Sequence, residues 1–214
     1  MKAKACLFDL DGVVFDTEPQ YTLFWAKIAR EFRPDVSDME HLIKGQTLVE
    51  IYDRYFGGDT ATQQTITDRL NDYERNELAY SYLPGFEAFV ERLRSGGIKT
   101  AVVTSSNREK MENIYRRHPE FRGYFDAILT SEDFTESKPS PQCYERAAAR
   151  FGLEPKDCIV FEDSFNGLRS GRESGAYVVG ITSTNSAEAI AGLCDETREN
   201  YLDSKFVIQN YDCP

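Results

Sequence analysis

Histidine and tryptophan are nearly missing from this chain: 214 residues contain two of the first, His41 and His118, and one of the second. A three-histidine zinc centre is excluded, and a Ser-His-Asp triad has little to draw on. The 5 cysteines (Cys6, Cys143, Cys158, Cys194 and Cys213) form no CxxC pair and are odd in number. Neither a disulfide framework nor a structural zinc site is expected from them, and a reducing compartment suits them better. Basic residues are in deficit, with 25 Lys plus Arg against 36 Asp plus Glu and a net charge of −11. No basic run is longer than Arg116-Arg117, so a nucleic-acid partner is not expected. No apolar stretch reaches the roughly 18 residues of a membrane span, and the first apolar run meets Asp9 too early to form a secretory h-region. The expectation is a cytoplasmic chain with no membrane partner. GxxxxGK[ST], GxSxG and a GxGxxG after a strand are also missing, which argues against P-loop, serine-hydrolase and dinucleotide-binding readings.

What is present is globular. Hydrophobic residues make up 41%, and 14 Phe with 12 Tyr supply bulky core material for one domain, or one domain with an insertion. Short apolar runs alternate with helical patterns. Ala5–Phe8, Thr100–Val103, Ala127–Leu129, Cys158–Phe161 and Tyr177–Val179 read as strands buried on both faces, and Phe206–Ile208 as a sixth. Pro84 falls where a first helical residue belongs, ahead of the stripe Phe86, Phe89, Val90 and Leu93, and Ser140-Pro141 opens another helix. The fold class expected is α/β, a doubly wound parallel sheet. Residues 18–83 break the rhythm. They contain no convincing strand, Thr47-x-x-Glu50 is a capping box opening Leu48–Phe56, and Asp68–Tyr80 reads as a longer helix. The expected organisation is an α/β core from 1–17 and 84–214 and an all-helical cap from 18–83, inserted after the first strand and serving as a lid.

Chemistry gathers at the ends of these strands. Asp9 and Asp11 follow the first, two residues apart, and suit a hard divalent cation. Glu162 and Asp163 close another strand in the same manner. Thr104-Ser105-Ser106-Asn107 brings hydroxyls and backbone amides to a helix start, where phosphate oxygens bind well. Lys138-Pro139 puts a cation in a rigid loop just before a helix. Each group alone has an ordinary structural explanation, such as a helix cap or a surface lysine. Together they form the inventory of metal-assisted phosphoryl transfer: nucleophile, proton donor, phosphate cradle, fixed cation and metal ligands.

The set Asp9-Leu10-Asp11-Gly12-Val13, Thr104-Ser105, Lys138-Pro139 and Glu162-Asp163-Ser164 resembles, in order, the four motifs of the haloacid dehalogenase superfamily. Phe8–Pro19, Lys138-Pro139-Ser140-Pro141 and Phe161–Gly167 resemble the branch of β-phosphoglucomutase and related sugar-phosphate phosphatases. The resemblance implies a Rossmann-type core carrying a helical cap. It also implies a mechanism: Asp9 attacks phosphorus and becomes an aspartyl phosphate, and Asp11 protonates the leaving oxygen and then activates water. Thr104 and the Ser105 amide hold phosphoryl oxygens, and Lys138 balances the carboxylates. Mg2+ is held by the Asp9 side chain, the Asp11 carbonyl and Asp163, with Glu162 in support. The second acid, Asp11, favours a phosphate ester over a carbon–halogen bond, since an alkoxide leaving from phosphorus gains from protonation.

The mutases of this branch resemble one another in having a cap histidine and a cap arginine. Those positions fall here at Tyr21 and near Leu48: a tyrosine does not titrate near neutrality without a large shift, and a leucine cannot bind phosphate. A Mg2+-dependent phosphatase acting on a small phosphate ester, a sugar phosphate first, is therefore expected, with a β-phosphoglucomutase-type mutase as the alternative and a non-catalytic metal- or phosphate-binding regulator third. Lys44, Gln46, Tyr21, Ser106 and Asn107 are candidate substrate contacts. A monomer is the default.

Overall fold

The computed structural model describes residues 3–44 and 46–202, and two compact units emerge from it, Met1–Asp16 with Tyr80–Pro214 and Thr17–Ala79. The first is built on a six-stranded sheet of order β3-β2-β1-β4-β5-β6, parallel at every pairing. The strands are β1 (Ala5–Phe8), β2 (Lys99–Val103), β3 (Ala127–Leu129), β4 (Cys158–Glu162), β5 (Tyr177–Ile181) and β6 (Glu196–Arg198). Five of them lie on the apolar runs of the sequence. The sixth strand expected, Phe206–Ile208, lies outside the described residues, and the edge is β6, a polar Glu-Thr-Arg segment that no hydrophobic pattern announces.

In the core unit, helices α5 (Phe86–Ser95), α6 (Arg108–Arg117), α7 (Gln142–Arg150), α8 (Phe165–Ser174) and α9 (Ala187–Ile190) follow the strands. Because side chains alternate along a strand, β1 serves two cores at once. Ala5 and Leu7 join Val103, Val160 and Val178 against Tyr144 and Ala147 of α7 and Leu168 of α8. Phe8 turns the other way. It stacks on Phe161 at 4.6 Å between ring centroids and meets Phe86 of α5 edge-on at 5.4 Å. The helix after Pro84 starts two residues later than the sequence suggests, at Phe86, and the Pro84 carbonyl accepts a hydrogen bond from the Tyr201 N–H instead.

The second unit is helical throughout: α1 (Glu18–Phe32), α2 (Met39–Leu42), α3 (Leu48–Tyr55) and α4 (Thr60–Asn76). Phe24, Trp25, Ile28, Met39, Ile51 and Ile66 form its core. The Thr47–Glu50 capping box closes both ways, as its sequence implies. Helix α4 begins eight residues before the Asp68 expected, with Asp59 as its N-cap accepting from the Thr62 N–H. The segment leading into this unit and the one leaving it pair through an isolated antiparallel bridge, Phe15 opposite Tyr82: the Asp16 N–H donates to Ser81 O and the Leu83 N–H to Val14 O, both at 2.8 Å. Among the described residues, no helix is long and apolar enough to cross a membrane.

Phe8 is completely buried and touches both Phe161 and α5. Phe8→Ala is expected to lower unfolding stability by about 3–5 kcal/mol, read from the shift of the urea midpoint at constant slope.

Candidate active site

The order of the strands reverses between β1 and β4: the chain leaves β1 toward β2 and β3, then returns to the opposite side as β4. At such a switch point the loops diverge and leave a crevice beyond the carboxyl ends of the strands. Phe8 is in register with Phe161, so the next residue on each strand, Asp9 and Glu162, emerges at the same level. Backbone pairing continues one step further, with the Asp9 N–H donating to Phe161 O at 3.0 Å.

Lys138 sits between these two acids. Its Nζ donates to Asp9 Oδ1 and Glu162 Oε1, both at 2.6 Å, and to Val103 O at 3.1 Å. An ammonium has three protons, and these three acceptors take them all. Burial works against the charge of Lys138, but Asp9 and Glu162 outweigh it and hold the ammonium well above the ordinary lysine value. Burial likewise pushes the Asp9 carboxyl up, to about 7, with Lys138 pulling it down and Glu162 adding to the rise.

Glu162 has no exposed surface. Beside Lys138, it accepts from the Tyr144 hydroxyl at 2.9 Å, from the Asp163 N–H at 3.0 Å, and from the amide and hydroxyl of Ser164 at 3.3 Å. Gly167 makes room for it, since a Cβ there would lie 1.8 Å from Glu162 Oε1. Gly12, with φ of 72°, takes a left-handed turn after Asp11, and a Cβ there would lie 2.1 Å from Asp163 Oδ2. Asp163 is further held by the Thr184 hydroxyl at its carboxylate and by Asn185 Nδ2 at its carbonyl.

Asp9, Glu162 and Asp163 each offer a carboxylate oxygen within 4.8 Å of the others. Four carboxylates, counting Asp11, face two buried ammonium groups, Lys138 and Lys110. The all-oxygen donor set and its excess negative charge fit a hard divalent cation. Thr104, at the end of β2, is buried, and its Oγ1 accepts from the Ser106 N–H at 3.0 Å. Ser105 is exposed beside it, and the Ser106 hydroxyl donates to Asp11 Oδ2 at 3.3 Å. Asn107 caps α6, its Oδ1 accepting from the Lys110 N–H at 2.9 Å.

Tyr21, Lys44 and Gln46 form another group, within the helical unit. There they line a cavity of about 190 Å³ with Glu18, Thr22 and Trp25. Lys44 Nζ lies 4.0 Å from Glu18, and the Tyr21 hydroxyl donates to Glu74 at 2.7 Å.

Sequence reasoning did not pick out Lys110, Tyr144, Thr184 or Asn185. The run Thr182-Ser183-Thr184-Asn185-Ser186, directly after β5, repeats the hydroxyl-rich signal of Thr104–Asn107 after β2 and was available. Lys110 and Tyr144 lie inside helices, where nothing local distinguishes them.

A sheet of this order, with its acids at the switch point and a helical unit inserted after β1, places the chain in a known class. The family model of the haloacid dehalogenase-like hydrolases matches residues 3–175, and the chain belongs to that family. That family is one of hydrolases. Hexitol phosphatase A of Escherichia coli is 29% identical over 190 residues, covering 86% of this chain and 85% of that protein. The β-phosphoglucomutase of Bacillus subtilis is 31% identical over 190 residues, with 83% of each covered. The crystal structure of a family IA hydrolase from Entamoeba histolytica superposes with a TM-score of 0.79 at 22% identity, covering 92% of this chain and 93% of that one.

A carboxylate must be ionised to bind a cation, and Asp9 ionises only near neutrality. Affinity for a divalent cation is therefore expected to rise between about pH 6 and about pH 8, with protons released on binding. Calorimetric titration in buffers of different protonation enthalpy measures both, and an affinity flat over that range would separate Asp9 from the cation site.

Proposed function

We propose that the chain is a Mg2+-dependent phosphatase of small phosphorylated metabolites, sugar phosphates first, working through an aspartyl phosphate on Asp9. The observation that carries this reading is the arrangement around Asp9: a buried carboxylate at the switch point, gripped by Lys138 and flanked by Glu162 and Asp163. Asp9, Asp163 and the Asp11 carbonyl would hold the cation, with Glu162 in support. Mg2+ there would neutralise phosphoryl charge and orient the ester.

The chain's own residues then divide the work. Asp9 supplies the attacking oxygen. Lys138 favours ionisation of that oxygen against the cost of burial, orients it, and stabilises charge gathering on the phosphoryl group. Thr104 and the Ser105 amide receive the phosphoryl oxygens at the end of β2. Asp11 gives its proton to the departing alkoxide, then takes one from the water that opens the acyl phosphate. Lys44, Gln46 and Tyr21 of the helical unit, with Ser106 and Asn107, are the candidates for choosing the ester.

The similarity to a β-phosphoglucomutase supports a second reading, sugar-phosphate isomerisation by phosphoryl return. Tyr21 and Leu48 weigh against it. The Tyr21 hydroxyl is engaged by Glu74, and Leu48 has no group that binds phosphate. Hexitol phosphatase A, similar over most of its length, supports hydrolysis of a sugar or polyol ester.

Phosphate release should be followed with Mg2+ over a panel of sugar, polyol and nucleoside monophosphates. One or a few esters are expected to be hydrolysed, and Asp9→Asn to lose at least about 10³-fold in kcat. Full activity in Asp9→Asn would overturn the mechanism. Conversion of β-glucose 1-phosphate to glucose 6-phosphate without phosphate release would establish the mutase reading.

A further inference from the structure

Lys110 is a lysine where elementary physics discourages one. It occupies the first turn of α6, where the helix dipole is positive, and it is 6% exposed. A buried ammonium at a helix start is costly unless an anion meets it. The anion is Asp11: Lys110 Nζ lies 2.6 Å from Asp11 Oδ2, the same oxygen that receives the Ser106 hydroxyl. Lys138 cannot serve Asp11, since Asp9, Glu162 and Val103 take its three protons. The two aspartates of the first motif are therefore met by different lysines, Asp9 by one from the loop before α7, shared with Glu162, and Asp11 by one from α6.

We infer that Lys110 is a positioning residue for Asp11: with Ser106 it fixes the carboxyl group at Oδ2 for protonation of the leaving alkoxide, and its ammonium meets the carboxylate that Asp11 becomes as that proton is given up. The inference rests on the proposed role of Asp11 as the proton donor. The grip comes from the turn after β2 and the first turn of α6, so the segment that cradles the phosphoryl group also helps set the orientation of the acid. Loss of Lys110 would leave the Asp9 attack intact and impair only departure of the leaving group. Esters with strongly basic leaving oxygens would then suffer most, because they depend most on the incoming proton.

Substituted phenyl phosphates separate these effects, because only leaving-group basicity changes along the series. Lys110→Met is expected to lose about ten-fold more in kcat/KM on phenyl phosphate than on p-nitrophenyl phosphate, a steeper dependence than the native enzyme shows. Lys110→Arg is expected to recover most of that difference. Lys110→Gln, which keeps a shorter donor, falls between and is read alongside, so a folding failure of the methionine variant does not decide the outcome. Asp11→Asn should show the steepening by itself, and adding Lys110→Met to it should change the slope no further. A parallel loss on all esters, or none, in the Lys110 variants while Asp11→Asn still steepens would overturn the role of Lys110 alone. An unchanged slope in Asp11→Asn would instead remove Asp11 as the acid, and this inference with it.

Discussion

The ion pair of Lys138 with Asp9 and Glu162 is the constraint on which the remainder of this site depends. Parallel strands in register deliver acids side by side at the switch point, and carboxylates so close repel one another in a setting that solvates them poorly. A single surface ion pair contributes little, but here one ammonium is shared by two buried carboxylates and all three of its protons are used. Such an arrangement organises the site more than it stabilises the fold. Its surroundings are shaped to the same end: Tyr144 and two backbone amides complete the shell of Glu162, and Gly167 leaves the space that this carboxylate fills.

The pattern repeats at lower exactness of fit around the other acids. Asp163 is steadied by Thr184 and Asn185 after β5, and Asp11 by Ser106 and Lys110 after β2. The ends of β1, β2, β4 and β5 thus supply between them the candidate reactive and ligating groups and the partners that hold them. The apolar layer beneath is correspondingly rigid, with Phe8 and Phe161 stacked directly below the residues that leave the sheet. Positioning at this precision belongs to strands and the first turns of helices rather than to long loops.

Much of this was legible in the sequence because each motif sits at a change of pattern. Asp9, Thr104 and Glu162 are polar residues that end apolar runs, and a run ending is visible without any knowledge of the partner strand. Lys110 and Tyr144 were not legible, since each is one ordinary residue inside an amphipathic helix, and its meaning comes from what lies across the fold. The start of α4 was hidden for a different reason. Thr60–Thr67 carries four threonines and two glutamines and presents one buried residue, Ile66, so no apolar stripe marks it. The edge strand β6 escaped because a half-exposed three-residue strand needs no hydrophobic code.

The pairing of Val14–Asp16 with Ser81–Leu83 bears on how such a chain could diversify. To the sheet, everything between those two segments is a loop whose ends are already clasped. Lengthening a clasped loop is cheap, since each doubling adds only about 0.6 kcal/mol of closure entropy. The helical unit has its own core in Phe24, Trp25 and Ile66, so its sequence can drift without disturbing the stacking of Phe8 on Phe161. On the proposed assignment, the reacting groups lie on one stretch of the polypeptide and the candidate substrate contacts Tyr21, Lys44 and Gln46 on another, and a lineage can exchange the second while keeping the first.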